Sequence, residues 1–558
     1  MPIASDKRYK VEGLVFLSSL PGSSRKKFTS PSSKKIVMYA IVGIVAVAAV
    51  YVTIFSRGAP DTSAPSTNTQ NDQAMQQQFE QQFCGTDTSS NSTAYVAEVS
   101  LPTECEMPVG IAVDGAKVWY VSTKRGLLGN YDAAAGTFSE YEIPLWPTRS
   151  LPFTAVPSWS MAWTVKLDSI GGNVWFTDQN NTIWRFNQST EAFDMFKVPA
   201  KYPSLIDFDL NGNLYFIGIN SQALYFGDIS KMRNATSEGF REISLPLEGF
   251  AGISLDLVTS GGLIVDNEQN DVWISLLAFQ QKKGQLFQYD IETNRVVRII
   301  DLPPDLGSPV GMELDNNGNV WVADHGTSTF FKYDPVMDNI TRFVTSIASP
   351  KIYGGSTPPN AYTLPYWIDK GRDGSLWFNE HTGNKMARFD PEELALIEYW
   401  VPSQNRAWTL CPPEATTCGI ANVMQFTVDP NNQLWFSEWT ENKIAKLDAS
   451  KQLPVSVLTP AEVSVSRGES TEIKVTVTAS SDFGGEMMAA GTFTLNGALG
   501  NSTGIFSEDS VSLLSGGSKE VSYTFTAADN LEQGQYTIML GAGNDDISYM
   551  KAVRVNII

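Results

Sequence analysis

The chain has 558 residues and a formal charge of −20, too long for one ordinary domain and, past its first 35 residues, too acidic for nucleic acid. Residues 1–35 carry eight Lys or Arg against two acids, a net +6, which leaves −26 on the remainder. Aromatics at 11% and 43 glycines fit a β-rich repeat protein with many turns.

In chain order, residues 1–35 read as a cytoplasmic tail with no core of its own. Ile36–Phe55, IVMYAIVGIVAVAAVYVTIF, is a run of 20 residues without a charge. At ~1.5 Å per residue it spans a bilayer core of ~30 Å, which predicts an N-terminal transmembrane helix and one membrane contact. A signal-peptide core is usually shorter and nearer the start, so a retained anchor is expected. The cationic flank places the N-terminus in the cytoplasm and everything beyond Arg57 outside the cell. Residues 56–92, rich in Ser, Thr, Gln, Asn and Ala, read as a flexible stalk.

All four cysteines, Cys84, Cys105, Cys411 and Cys418, follow the anchor. An even number outside the cell predicts two disulfides. The expected pairs are Cys411–Cys418, closing a short loop, and Cys84–Cys105, clipping stalk to propeller. A crossed pairing stays open, and a zinc site is the rival without a paired CxxC spacing to support it. Six Asn-x-Ser/Thr sequons decide nothing in a chain this rich in Asn, Ser and Thr.

Between 93 and 450 one unit recurs seven times: a polar turn, an aromatic strand, then a short strand ending in Asp or Asn. Its anchors are Trp119, Trp175, Tyr215, Trp273, Trp321, Trp377 and Trp435, 40 to 58 residues apart. That period predicts a seven-bladed β-propeller. The seventh copy stops after three strands, and Ala94–Pro102 carries the missing fourth-strand pattern, so it is expected to close the ring. Long Pro- and aromatic-rich connections fall on one face, the top: Leu145–Ser160, Leu247–Gly262, Ser346–Leu364 and Ser403–Ala421. From residue 454 to 558, tryptophan disappears and strands alternate strictly, as in Ile473-x-Val475-x-Val477. This predicts an Ig-like β-sandwich. The fold class is therefore all-β, a propeller followed by a sandwich, behind one membrane helix.

Met107-Pro108-Val109-Gly110-Ile111, Ser308-Pro309-Val310-Gly311-Met312 and Trp435-Phe436-Ser437-Glu438-Trp439 with Asn442-Lys443-Ile444-Ala445-Lys446 resemble the repeats of the streptogramin (virginiamycin B) lyase family. The resemblance spans roughly 93–450. It implies a seven-bladed propeller, and magnesium held in part by Glu438. The family's catalytic His follows a Pro at a strand start, where this chain has Val109, Val310 and Tyr366.

Four copies place an acid three residues beyond the Trp: Asp178, Asp324, Glu380 and Glu438. Equivalent positions in a ring are expected to converge on one axis, where carboxylates would share magnesium or calcium. His325 and His381, the only two histidines, each follow such an acid and are the catalytic candidates, for proton transfer or ligation. Otherwise each acid bonds its own loop or a neighbouring Lys, and each His is a polar loop residue. Two histidines are too few for a copper or haem enzyme. The Asp-Asn-Gly turns lack the twelve-residue calcium loop and read as turn chemistry. The leading function is a membrane-anchored extracellular module binding a ligand, glycan or protein through its top face. The alternative is a metal-dependent lyase or lactone hydrolase.

Overall fold

The computed structural model describes residues 77, 80–85, 91–146, 161–168, 172–178, 180–355, 357–358, 361–492 and 499–558. The tail and the Ile36–Phe55 run lie outside these residues. Among those described, no helix is long and apolar enough to cross a membrane.

Seven antiparallel four-strand units follow one another between Val96 and Leu447. Blade 1 runs Pro108–Asp114, Lys117–Ser122, Leu127–Asp132 and Thr137–Glu142, and blades 2 to 6 repeat the pattern. Blade 7 takes Val423–Val428, Leu434–Glu438 and Lys443–Leu447 from the end of the ring. Its fourth strand is Val96–Ser100, antiparallel to Lys443–Leu447 with Glu98 opposite Ala445. The ring closes as its interrupted repeat predicts.

The repeat's tryptophans are the wedges between blades. Each anchor aromatic is at most 5% exposed. Trp119 meets Phe186 of blade 2 at 5.6 Å between ring centroids, and Trp273 meets Tyr333 of blade 5 at 6.0 Å. Trp321 meets Phe389 of blade 6 at 5.3 Å, and Trp435 crosses the closure to Tyr131 of blade 1 at 6.0 Å. In each pair a second-strand indole packs on a third-strand ring of the next blade, the fill a tapering interface needs. Most of the polar turns before these aromatics are held by an Asp. Asp315 accepts from the Asn317 and Asn319 amides, and its other oxygen from the Trp321 indole at 2.9 Å. Asp209 and Asp429 repeat the backbone part of this arrangement. These are turns that also fix a wedge.

The Pro-x-Gly strand starts have a steric cause. A Cβ at Gly311 would lie 2.2 Å from the Tyr366 carbonyl oxygen, and one at Gly110 within 2.9 Å of the Thr164–Val165 backbone. First strands of adjacent blades approach too closely for any side chain there.

Beyond Leu447 the chain forms two packed sheets. Val455–Leu458, Ser470–Ala479, Ser518–Thr526 and Thr503–Phe506 make one. The other includes Gly485–Thr492, Ser510–Leu513, Gly534–Gly543 and Ile547–Ile557. Ile473, Val475, Val521, Phe525, Ile538, Leu540 and Val553 fill the space between them. The second sheet is continuous with blade 6: Ile547–Ile557 pairs antiparallel with Ala395–Trp400. The cause lies in that outer strand. Five of its six residues are buried, whereas Thr137–Glu142 and Phe240–Ser244 bury none of theirs. Met539, Met550 and Ala552 cover Leu396 in one shared core. A strand this apolar would be an exposed edge if left bare.

The stalk reading fails at residues 80–85. This segment is docked on the propeller, with Phe83 4% exposed and the Gly85 amide donating to the Thr440 carbonyl at 3.0 Å.

Deleting Ala94–Pro102 leaves blade 7 with an open edge. We expect a sharp fall in melting temperature or aggregation on heating, read by scanning calorimetry with light scattering. A deletion variant as stable and monomeric as its parent would contradict the closure.

Candidate functional site

The top face carries the blade-to-blade loops and the ends of the second strands, so all six predicted site residues stand there. The four acids are buried, but they do not meet. Asp178 accepts from the Asn180 amide at 2.9 Å and from the Trp184 indole at 3.2 Å. Asp324 accepts from the Ser308 amide at 2.7 Å and from the Thr327 hydroxyl at 2.6 Å. Burial pushes the Asp324 carboxyl up to about 6, although these hydrogen bonds oppose it. Both acids serve their own loops.

Glu380 and Glu438 belong to a repeated buried group that sequence reading missed. In blade 6, Lys385 Nζ lies 2.9 Å from Glu398 Oε2 and 3.8 Å from Glu380 Oε2. Ser346 donates to Glu398 from its amide at 2.7 Å and from its hydroxyl, and Ser548 of the C-terminal domain donates at 2.6 Å. Blade 7 repeats the set with other parts of the chain. Lys443 Nζ lies 2.8 Å from Glu98 Oε2, the Ser403 amide and hydroxyl each donate to Glu98 at 2.8 Å, and Glu438 stands opposite Lys443 across the strands.

One ammonium faces two carboxyls in each set, so burial decides their protonation. Burial first, then repulsion from Glu398, raises Glu380 well above its usual range. Glu438 is raised the same way, by burial and then Glu98. The Glu380 oxygens have no donor among the described residues, which a carboxyl carrying its own proton toward Glu398 resolves. Lys385 and the serine donors hold Glu398 down to about 2 against its own burial. The blade 6 set is thus one ammonium, one carboxylate and one carboxylic acid.

The two histidines are brought together. Their rings lie 5.3 Å apart and 10° from parallel, and Tyr366 packs on His325 at 4.8 Å. His381 is buried and its Nε2 is 3.0 Å from Asn422 Oδ1; His325 is half-buried, with Nδ1 3.4 Å from the Pro365 carbonyl. Burial lowers His381 to about 4 and His325 to about 3, the latter helped by its neighbour. Both are neutral at pH 7. A base so weak accepts a proton poorly near neutrality, where general-base catalysis needs a matched pKa.

The expected convergence on a metal is not what the geometry gives. Among the described residues, no three or more His, Cys, Asp or Glu side chains are grouped to hold an ion. The physical reason is the register. Second strands stand one strand out from the axis, and Glu380 and Glu438 face the third and fourth strands of their own blades. Beside Glu438 stands the Lys443 ammonium, which pairs with Glu98 at 2.8 Å.

A second charged group lines the axis, also missed. Lys166 pairs with Asp207, and Glu313 and Asp369 stand near it, all four on first strands. Burial and then Asp369 raise Glu313 to about 8; burial raises Asp369 to about 6 against Lys166. Their signal was a charge inside an otherwise apolar strand. Both expected disulfides are present, Cys84–Cys105 and Cys411–Cys418. That excludes the crossed pairing and a zinc site on these thiols.

With this fold and site, the chain is a β-propeller protein whose solved neighbours include streptogramin B lyases. It is similar to virginiamycin B lyase from Staphylococcus aureus at 20% identity, over 63% of this chain and 98% of that one, with a TM-score of 0.46. A streptogramin B lyase structure matches at 20% identity over 63% and 97%, with a TM-score of 0.47. The Dos1 propeller matches at 12% over 62% and 93%, with a TM-score of 0.36. No protein-family model and no curated protein matches the chain.

The paired carboxyls predict opposite pH effects. Glu380, raised when folded, lowers stability as pH rises from its unfolded value of about 4.5 through its folded one; Glu398 loses its contribution as pH falls from about 4.5 to about 2. Glu380→Gln should therefore match wild type near pH 4.5 and be increasingly more stable than it as pH rises through 7 to 9, with that loss flattened. Lys443→Ala, which strands a buried carboxylate, should cost ~3–5 kcal/mol. Urea unfolding at pH 5, 7 and 9 measures both, and equal effects of the two variants would refute the assignment.

Proposed function

We propose that this protein is a membrane-anchored extracellular binding module whose top face, at blades 5 to 7, takes a ligand, glycan or protein. The observation that carries this reading is the preformed wall of the channel mouth. His325 and Tyr366 present neutral, flat, partly polar surfaces, with His381 buried behind them, and neighbouring loops are themselves stapled. Cys411–Cys418 closes one loop, Arg406 donates to the Pro412 carbonyl at 2.8 Å within it, and Ile352 of the neighbouring loop packs with Ile420. Loops fixed on a rigid scaffold lose little freedom on binding, which favours affinity. Two disulfides support an oxidising compartment. The Ile36–Phe55 run with its cationic flank supports the anchor and the cell-surface location, and the C-terminal sandwich is read as Ig-like.

The ligand class follows from the wall. Neutral imidazoles and a phenol suit sugar hydroxyls or peptide amides and aromatic faces better than a strongly charged group. The full chain, screened on arrays of glycans and of peptides, should give a saturable ligand. His325→Ala and Tyr366→Ala should weaken it at least tenfold while the melting temperature stays near that of wild type. A ligand indifferent to both substitutions would move the site elsewhere.

The lyase reading requires an ion. Calorimetric titration of the full chain with millimolar magnesium or calcium should give no saturable heat. Heat that saturates for wild type and vanishes in Glu438→Gln would restore the metal and the eliminative chemistry built on it.

A further inference from the structure

Large apolar side chains that stay exposed among the described residues are unevenly placed. Tyr202, Leu255, Leu257, Phe279, Ile347 and Leu410 stand on the top face, 36–55% exposed, against Leu210, Val336 and Met337 on the bottom. The six come from four different blade-to-blade loops and one second-to-third turn, so they ring the face and do not fill one pocket. A small ligand meets one such tip, whereas a flat partner meets them together.

The tips are held outward. In the loop before blade 4, Phe250 and Val258 are buried, and Gln222 Nε2 donates to the Leu255 carbonyl at 3.2 Å and the Val258 carbonyl at 2.6 Å. Leu255 and Leu257 of this fixed loop nonetheless face water. The strand pair that starts with Thr259 opposite Leu277 brings Leu257 and Phe279 to the same end of blade 4. Lys201 beside Tyr202 and Lys282 near Phe279 are exposed too, and rings next to cations suit a lipid headgroup layer. Asp256, exposed between the two leucines, limits insertion to that layer.

The chain also reaches the propeller on this face. Phe83 packs on Trp408 and Trp439, the Gly85 amide donates to the Thr440 carbonyl at 3.0 Å, and Cys84 is bonded to Cys105 of the blade 7 to blade 1 connection. Only 24 residues, at most ~3.5 Å each, separate Phe55 from Glu80. A bilayer that holds Ile36–Phe55 is therefore leashed to the top face and not to the bottom.

We propose that the top face docks on a lipid bilayer, with its rim of apolar tips seated shallowly among the headgroups. The proposal deepens the membrane-anchored binding module, by naming the surface on which its top face works, and rests on that reading. A leash makes docking intramolecular, so the shallow contacts of a few side chains suffice. The net charge of −26 beyond residue 35 opposes an anionic surface. Docking therefore depends on the apolar tips and weakens as anionic lipid is added.

The full chain tests this in phosphatidylcholine vesicles doped with phosphatidylcholine that carries photoactivatable groups in headgroup and acyl chain. Mass spectrometry should find lipid on Ile36–Phe55 and on peptides containing Tyr202, Leu255–Leu257, Phe279 and Leu410. Peptides containing Leu210 and Met337 should stay at background. Replacing part of the lipid by phosphatidylglycerol should lower the top-face label. In Leu255→Ser/Leu257→Ser/Phe279→Ser, changes at exposed positions that should leave the melting temperature near wild type, label on the blade 4 peptides should fall by about tenfold. Label on Ile36–Phe55 without label on the top face, or equal label on both faces, overturns the docking alone. So does a triple variant that melts like wild type and keeps its label; if it does not fold, the wild-type map decides. A chain that takes up no lipid on Ile36–Phe55 overturns the anchored reading, and the docking with it.

Discussion

Ring closure is the constraint on which the rest of this structure depends. A propeller blade has two edges, and neither its wedge aromatics nor its axial contacts have partners until the last blade meets the first. Here that meeting is made by five residues, Val96–Ser100, drawn from more than 300 positions away in sequence. Pairing with Lys443–Leu447 completes blade 7, sets Trp435 against Tyr131, and brings Glu98 to Lys443. Loop closure over such a span costs entropy before any contact offsets it, so the contacts at the seam have to be strong and selective. The Cys84–Cys105 bridge lies just outside the same strand and holds its entry.

The placement of function follows from the same ring. Strand direction puts all blade-to-blade loops on one face, and the longest of the described ones belong to blades 5 to 7. That sector also carries the histidine pair, Tyr366, both lysine–carboxyl sets and the docked segment at Phe83. Asp178 in blade 2 and Asp324 in blade 5 are consumed locally by their own loops. Within the sector, Glu380 and Glu438 lie along their own blades beside Lys385 and Lys443.

Much of the fold was legible because it is periodic. Seven anchors, the broken seventh copy and the stray fourth strand named the architecture and its seam, and four cysteines paired as loop position predicted. The site was less legible, for a geometric reason. Equivalent positions in a ring do share a height and a radius, so Asp178, Asp324, Glu380 and Glu438 were rightly grouped, but sequence does not say which way a second-strand side chain leans. The decisive partners were in plain view as Asn-Lys before the third strand and as the Glu four residues before Pro402 and Pro102. Reading those as neighbours needed the strand register. The docking of the C-terminal domain was also written locally, in the apolar run Ala395–Trp400. Its partner, Ile547–Ile557, is one of several alternating strands that look alike until paired.

The two lysine–carboxyl sets share a location as well as a composition. One joins the N-terminal strand to blade 7 through Glu98, and the other joins the C-terminal domain to blade 6 through Ser548. Both stand where segments remote in sequence must find one register. A buried ion group is a weak source of net stability, because desolvation offsets most of the attraction. Its effect on alignment is larger. Side chains alternate faces along a strand, so a slip of one residue at the closing strand would carry Glu98 to the opposite face. Lys443 would then be buried without its carboxylate, beside Glu438 alone, a loss several times that of a misplaced valine. The same holds at blade 6, where a slipped Ile547–Ile557 would remove Ser548 from Glu398. Aromatic wedges make the ring stable once closed; the buried charges penalise closing it wrongly.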